Sequence, residues 1–186
     1  MKKILMLLIL GDSVSAVFGQ TEAETKAWQE FMTPGEMHKN LALSTGNWKA
    51  EITIWMAPGS QPTTSVATAK GEMTMGGRYL QSTYTGEFMG MPFEGTSTTA
   101  YDNGKKMFVS TWIDNMGTGV MITEGKWNAA KKAIEMKGKQ TDPMTGKDIK
   151  VRETLTFNDD GTQMLEMWME HKGKEFKGME IRYTKM

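Results

Sequence analysis

Residues 76–119 read GGRYLQSTYTGEFMGMPFEGTSTTAYDNGKKMFVSTWIDNMGTG, and polar and apolar side chains alternate through three successive runs of the stretch. Each run closes on a turn built from Gly, Pro or Asn-Gly. A period of two puts alternate side chains on opposite faces, the pattern of half-buried antiparallel strands. The pattern continues on both sides, giving ten strand candidates: 47–56, 64–75, 78–88, 92–101, 106–114, 119–128, 132–141, 149–158, 162–171 and 175–184. The joins are short: Pro58-Gly59, Gly76-Gly77, Asn103-Gly104, Asp160-Gly161 and Lys172-Gly173. Asn-Gly and Asp-Gly supply the positive φ angles that tight hairpins need. Ten strands without a long crossover pair neighbour to neighbour, and a meander of that length removes its exposed edges by closing. The expected fold is all-β: one ten-stranded antiparallel up-and-down barrel over residues 47–186.

Ahead of the barrel, residues 20–46 read as a short helical segment. TEAETKAWQEFM is rich in helix formers, with Trp28, Phe31 and Met32 at i, i+3, i+4 spacing. A second helix is expected to start at Thr33-Pro34-Gly35-Glu36, with Thr33 as N-cap, Pro34 in the first position and Glu36 completing a capping box. Met37, Leu41 and Leu43 supply its apolar face, and Gly46 stops it. Such a segment acts as a lid on one open end of the barrel or packs on the outside of the sheet.

Residues 1–19 read as an export signal: Lys2 and Lys3, then the apolar run Ile4–Leu10, then mostly small residues from Gly11 to Gly19. Cleavage is expected after Gly19, leaving Gln20 first, with Ala16 the alternative junction. Seven apolar residues are far fewer than the roughly 20 a spanning helix needs, so no membrane anchor is expected after cleavage. The expected location is periplasmic or secreted. With 22 basic and 22 acidic residues the chain carries no field to recruit nucleic acid. It has no cysteine, which removes disulfides, thiolate zinc sites and thiol catalysis. Methionine is abundant at 19 residues, and it serves either as a filler of irregular cores or as a soft ligand for Cu(I).

Parity assigns inward faces. Trp48, Ala50, Ile52, Ile54 and Met56 share one side of the first strand; Ile134, Met136 and Gly138 share one side of the seventh. Leu165, Met167 and Met169 align on the ninth, and Met179, Ile181 and Tyr183 on the tenth. The second, fifth and sixth strands are ambiguous. Glu153 breaks the pattern, because it shares a face with Ile149, Val151, Leu155 and Phe157. An inward carboxyl is costly unless hydrogen-bonded, so it either anchors a ligand or is satisfied by Tyr84, Arg78 or water.

Gly46-Asn47-Trp48 opens the first strand straight after a short helix, and Arg182 is the sole arginine of the last strand. This resembles the lipocalin and fatty-acid-binding-protein superfamily, whose barrels open with Gly-x-Trp and pack that Trp under an Arg of the final strand. The resemblance implies that Trp48 and Arg182 close the base, a cation–π contact of roughly 0.5–2 kcal/mol. Parity sets Arg182 opposite to Ile181, so it reaches Trp48 only around the barrel end or across a bulge. PGEMHKNLALSTGNW, GGRYLQSTYTGEFMGMPFEGTSTTAYDN, TWIDNMGTG, TDPMTGK and EFKGMEIRYTK, spread over residues 34–185, resemble the bacterial family known as domain of unknown function 1579. That resemblance implies the barrel and adds no catalytic residue.

The chemistry-bearing residues are few. His38 lies on the second helix and His171 at a strand end; no HExxH, Gly-rich phosphate loop or Gly-x-Ser-x-Gly elbow is present. Ten-stranded barrels related to nitrobindin hold haem through one His near the C-terminus, which gives His171 a haem reading if it points inward. Met73/Met75, Met89/Met91 and Met167/Met169 stand at i, i+2 and would share a face within a strand, the arrangement a Cu(I) site needs. Core packing is favoured over both, and no metal or cofactor is expected. The reading reached is an exported barrel that binds a small apolar ligand, walled by Ile52, Ile54, Leu80, Tyr84, Phe93, Met136, Glu153 and Met167. The alternatives are an enzyme with Glu153 as acid or base, a haem or copper barrel, and a filled structural barrel.

Overall fold

The structure is a computed structural model and describes residues 21–186. The expected export signal lies outside the described residues. Two helices, α1 (Glu22–Met32) and α2 (Glu36–Ala42), precede the strands β1 (Gly46–Ile54), β2 (Thr63–Thr74), β3 (Tyr79–Phe88), β4 (Met91–Asp102) and β5 (Met107–Asp114). The chain continues through β6 (Met121–Asn128), β7 (Ala133–Thr141), β8 (Asp148–Phe157), β9 (Gln163–His171) and β10 (Lys174–Lys185). Every strand pairs antiparallel with its chain neighbour, and β10 returns to β1 to close the barrel. Closure leaves no unpaired strand at either side of the sheet, so the meander presents no open edge for another strand to pair with. All ten expected strands are present, with ends within a few residues of those read from the alternation.

Two of the hairpins are two-residue turns with both φ angles positive, Met89-Gly90 (53° and 78°) and Lys172-Gly173 (51° and 78°). Asn103-Gly104 behaves differently from expectation. There the left-handed residue is Lys106, and the Asp102 carboxylate accepts from the Gly104 and Lys105 N–H groups. The Asn103 side chain is thereby free to donate to the carbonyls of Glu30, Phe31 and Thr33 at 2.8–3.2 Å. Arg78 donates to the Met32 carbonyl at 2.7 Å. These two side chains satisfy carbonyls that the end of α1 leaves without partners.

The helix starts also differ in part. Thr21 caps α1 through a reciprocal pair with Glu24. The second helix starts at Glu36, not after Thr33: Gly35 is its N-cap and donates to His38 Nδ1 at 3.0 Å, while Thr33 bonds back to the Gln29 carbonyl. Thr33 is drawn into the end of α1, so it cannot also cap the next helix. The helix ends at Ala42, before Gly46 is reached, and Gly46 is the first residue of β1.

Closure of one end is the work of α2 alone, since α1 buries no residue. Leu41, 2% exposed, joins Leu80, Phe108, Ile134, Met136 and Phe157 in a core into which Met37 also packs, whereas Leu43 is exposed. His38 is buried edge-on to Tyr101, and burial together with the nearby Arg78 charge holds its imidazole below its ordinary pKa. A second core cluster joins Trp48, Ala50, Ala67, Ala69, Ile181 and Tyr183.

Trp48 is buried as expected, with its Nε1–H donating to the Ser44 carbonyl at 3.1 Å. Arg182 does not close the base. It is exposed on the outer face, opposite Glu51, because its neighbours Ile181 and Tyr183 point in. The cation over Trp48 is Lys185, which pairs with Trp48 in register and sits 5.5 Å from its ring centroid.

Candidate functional site: the barrel interior around Glu153

Residues directly opposite each other in register share a face, so the pairing identifies the whole inner wall. Ile52, Ile54, Leu80, Tyr84, Phe93, Met136, Glu153 and Met167 all occupy inward positions. They do not form one group. Leu80 belongs to the core under α2, together with Met136, while Ile52 and Tyr84 flank the second cluster. Met56 lies beyond the end of β1 and is exposed.

The walls differ in character. β2, β3 and β4 turn in Ala67, Ala69, Gly71, Ser82, Gly86, Gly95, Ser97 and Thr99, which are small. β8, β9 and β10 oppose them with Leu155, Leu165, Met167, Met179 and Ile181. Small side chains on one wall leave space that the other fills only in part. Accordingly Ile52, Tyr84, Phe93, Trp112, Leu155, Leu165, Met169 and Met179 are only half-buried although they point inward. Gly95 makes room for Trp112, whose ring atoms would lie 2.6 Å from a Cβ there. Trp112 stands edge-on to Tyr84 at 5.1 Å and stacked with Phe93 at 6.3 Å, and its Nε1–H donates to Asp114 at 2.7 Å.

Glu153, 6% exposed, sits in register between Met136 and Met167. Its Oε2 accepts from Thr123 Oγ1 at 3.0 Å. Burial raises the carboxyl above its ordinary pKa, and the Thr123 bond opposes that only in part. Among the described residues no donor meets Oε1, and no side-chain nitrogen or oxygen is both sealed from solvent and unbonded. Oε1 therefore faces the accessible part of the interior. Arg78, named from the sequence as a partner, is committed to Met32 and Met75 at the closed end. The Tyr84 and Tyr183 hydroxyls lie 3.4 Å apart, and burial raises both phenols, with the Glu153 charge adding to the effect.

Sequence reading missed Trp112, Thr123 and Tyr183's pairing with Tyr84. Trp112 shares parity with Phe108, and Thr123 with Trp127, but neither strand shows a clean apolar face that would have oriented it. Of the other candidates, His171 ends β9 at the rim, exposed and edge-on to Phe176. The Met73/Met75 and Met89/Met91 pairs do not share a face, because Met75 and Met89 occupy turns with positive φ and are exposed. Met167/Met169 does share one.

Two concavities open on the outside. One, of about 550 Å³, lies at the rim where Thr63–Val66 separates from Gly86–Gly90, beyond the last β2–β3 pair at Ala67 and Gly86. The other, of about 660 Å³, lies over β6, β7 and β8 with Glu124, Lys126, Lys137 and Arg152 among its lining. Neither includes Glu153.

Fold and interior together define a ten-stranded, closed antiparallel β-barrel. The chain belongs to the family described as protein of unknown function (DUF1579), whose model matches residues 33–185. Among solved structures it is similar to Rv2717c from M. tuberculosis, at 14% identity and a TM-score of 0.62, covering 83% of this chain and 99% of that one. At that identity the likeness concerns the fold alone. No curated protein matches the sequence.

Proposed function

We propose that the protein is an exported carrier that holds a small, largely apolar molecule inside the barrel with its one polar end against Glu153. The observation that carries this reading is the unpartnered Glu153 Oε1 facing accessible space amid half-buried apolar side chains. A carboxyl is expensive to keep in such surroundings without full hydrogen bonding, and a ligand head group supplies what the protein omits. Leu155, Leu165, Met179, Ile52 and the Tyr84–Trp112–Phe93 aromatics supply the apolar contact, as small-molecule sites require. The gap between β2 and β3 at the rim offers a way in that does not disturb α2. The test is native mass spectrometry of the exported protein alongside titration with N-phenyl-1-naphthylamine. The expected result is a bound small molecule or saturable probe uptake that quenches tryptophan emission. Protein that carries nothing and takes up no probe would leave the barrel a structural body.

A further inference from the structure

The inner wall carries charge of only one sign where a ligand would lie. Following the register from strand to strand, the inward basic side chains are Lys185, under Trp48 at the closed end, and the directly paired His171 and Lys174, both exposed at the rim. Between those ends, among the described residues, no Lys, Arg or His points inward. Lys137 and Arg152, which flank Glu153 along the chain and across the ladder, lie on the outer face. Arg152 is moreover held outside by a two-point contact with Glu175 at 3.0 and 2.8 Å and by stacking over Trp168. The groups turned toward Glu153 are the Thr123 hydroxyl and the phenols of Tyr84 and Tyr183, with Asp114 nearer the mouth and tied to Trp112.

We propose that the barrel selects its ligand by head-group charge: the occupant is an apolar molecule ending in an amine or hydroxyl, and carboxylic acids are excluded. This rests on the carrier reading and narrows it. A carboxylate brought inside would meet a second carboxyl and no cation, and an unpaired buried anion is among the costliest groups to desolvate. An ammonium instead finds the buried carboxyl of Glu153, with its open oxygen toward the ligand space. An alcohol donates to the same oxygen without charge. The hydroxyls nearby do not rescue an acid, because they are partly spent on one another. Thr123 donates to Glu153, and the Thr99 and Ser110 hydroxyls bond each other at 2.9 Å.

The experiment is displacement of N-phenyl-1-naphthylamine from the mature protein by decylamine, decanol and decanoate, which share one chain and differ in the head. Decylamine is expected to displace at a concentration at least about tenfold below decanoate, the factor that about 1.4 kcal/mol of charge discrimination produces. Glu153→Gln keeps the shape and the acceptor for Thr123, and it is expected to bring the amine and the acid within about threefold of each other. Decanoate competing as well as decylamine on the unaltered protein overturns the head-group inference while leaving the carrier standing. So does a preference for the amine that survives Glu153→Gln. Failure of the protein to take up the probe at all removes the carrier reading itself, and the inference with it. The unaltered protein decides the charge preference even if the variant does not fold.

Discussion

Replacing Leu41 with alanine measures whether α2 closes its end of the barrel by packing or merely lies across it. Leu41 is 2% exposed and inserted among Leu80, Phe108, Ile134 and Phe157, all from different strands. The Leu→Ala change removes apolar area already withdrawn from water and leaves a hole that these four strand-held partners cannot collapse to fill. Such changes cost about 2.7–5 kcal/mol, and the near-complete burial here places the expected loss at about 3–4 kcal/mol. With a urea dependence of roughly 2 kcal/mol per molar, the midpoint should fall by about 1.5–2 M. The melting temperature should fall by about 10 °C. Leu43→Ala is the control, since Leu43 lies just past the same helix and is 52% exposed; its change should stay within about 0.5 kcal/mol. Urea titration followed by tryptophan emission and by circular dichroism reports both variants. Equal shifts for the two, or a loss below about 1 kcal/mol at Leu41, would refute the plug and reopen that end as a ligand route.

Three further outcomes are expected, two from the same geometry and one from the amino-acid sequence. Glu153 has its pKa raised by burial, so the folded chain holds its proton more tightly than the unfolded chain. The stabilisation this brings is complete below the unfolded value and disappears as pH climbs through the folded one. Glu153→Gln should therefore gain on the unaltered protein from pH 4 to pH 8, by about 1.4 kcal/mol for each tenfold preference of the folded state for the protonated form; a pH-independent difference in urea midpoints would contradict it. Gly125→Ala should disrupt the β6–β7 pair, because a Cβ there would fall 1.8 Å from the Glu135 carbonyl oxygen and 2.6 Å from Met136 Cα, both backbone. The loss should exceed the about 1–3 kcal/mol typical of overpacking, and normal thermal unfolding of that variant would show that the strands can part at little cost. Finally, N-terminal sequencing of the exported protein should begin at Gln20, or at Val17 if the junction follows Ala16; an intact Met1 in that fraction would overturn the export signal.

Much of the barrel was written in the chain because a strand's side-chain period and a turn's φ requirements are local. Alternation around Leu80, Tyr84 and Phe93, and again around Val151, Glu153 and Leu155, is visible to anyone counting in twos. It put all eight proposed wall residues on the inner face and marked Glu153 as the polar exception. Locality is also where the reading stopped. Arg182 was matched to Trp48 by its kind, whereas parity along β10 turns it out and brings Lys185 over the ring. Thr33 looks like a helix cap because the capping pattern spans four residues, but the end of α1 had prior use for its hydroxyl.

What only the closed sheet decided is which inward residues meet. Thr123 and Glu153 stand 30 positions apart, and Tyr84 and Tyr183 stand 99 apart, so no pattern in the chain couples them. Their contacts depend on the register carried through the intervening strands and on the curvature that brings opposite walls together. The same is true of the space inside. Small residues on β2 to β4 read as ordinary strand residues one by one. They become one inner wall only when closure sets them across from Leu155, Leu165 and Met179, whose side chains stay half-buried there.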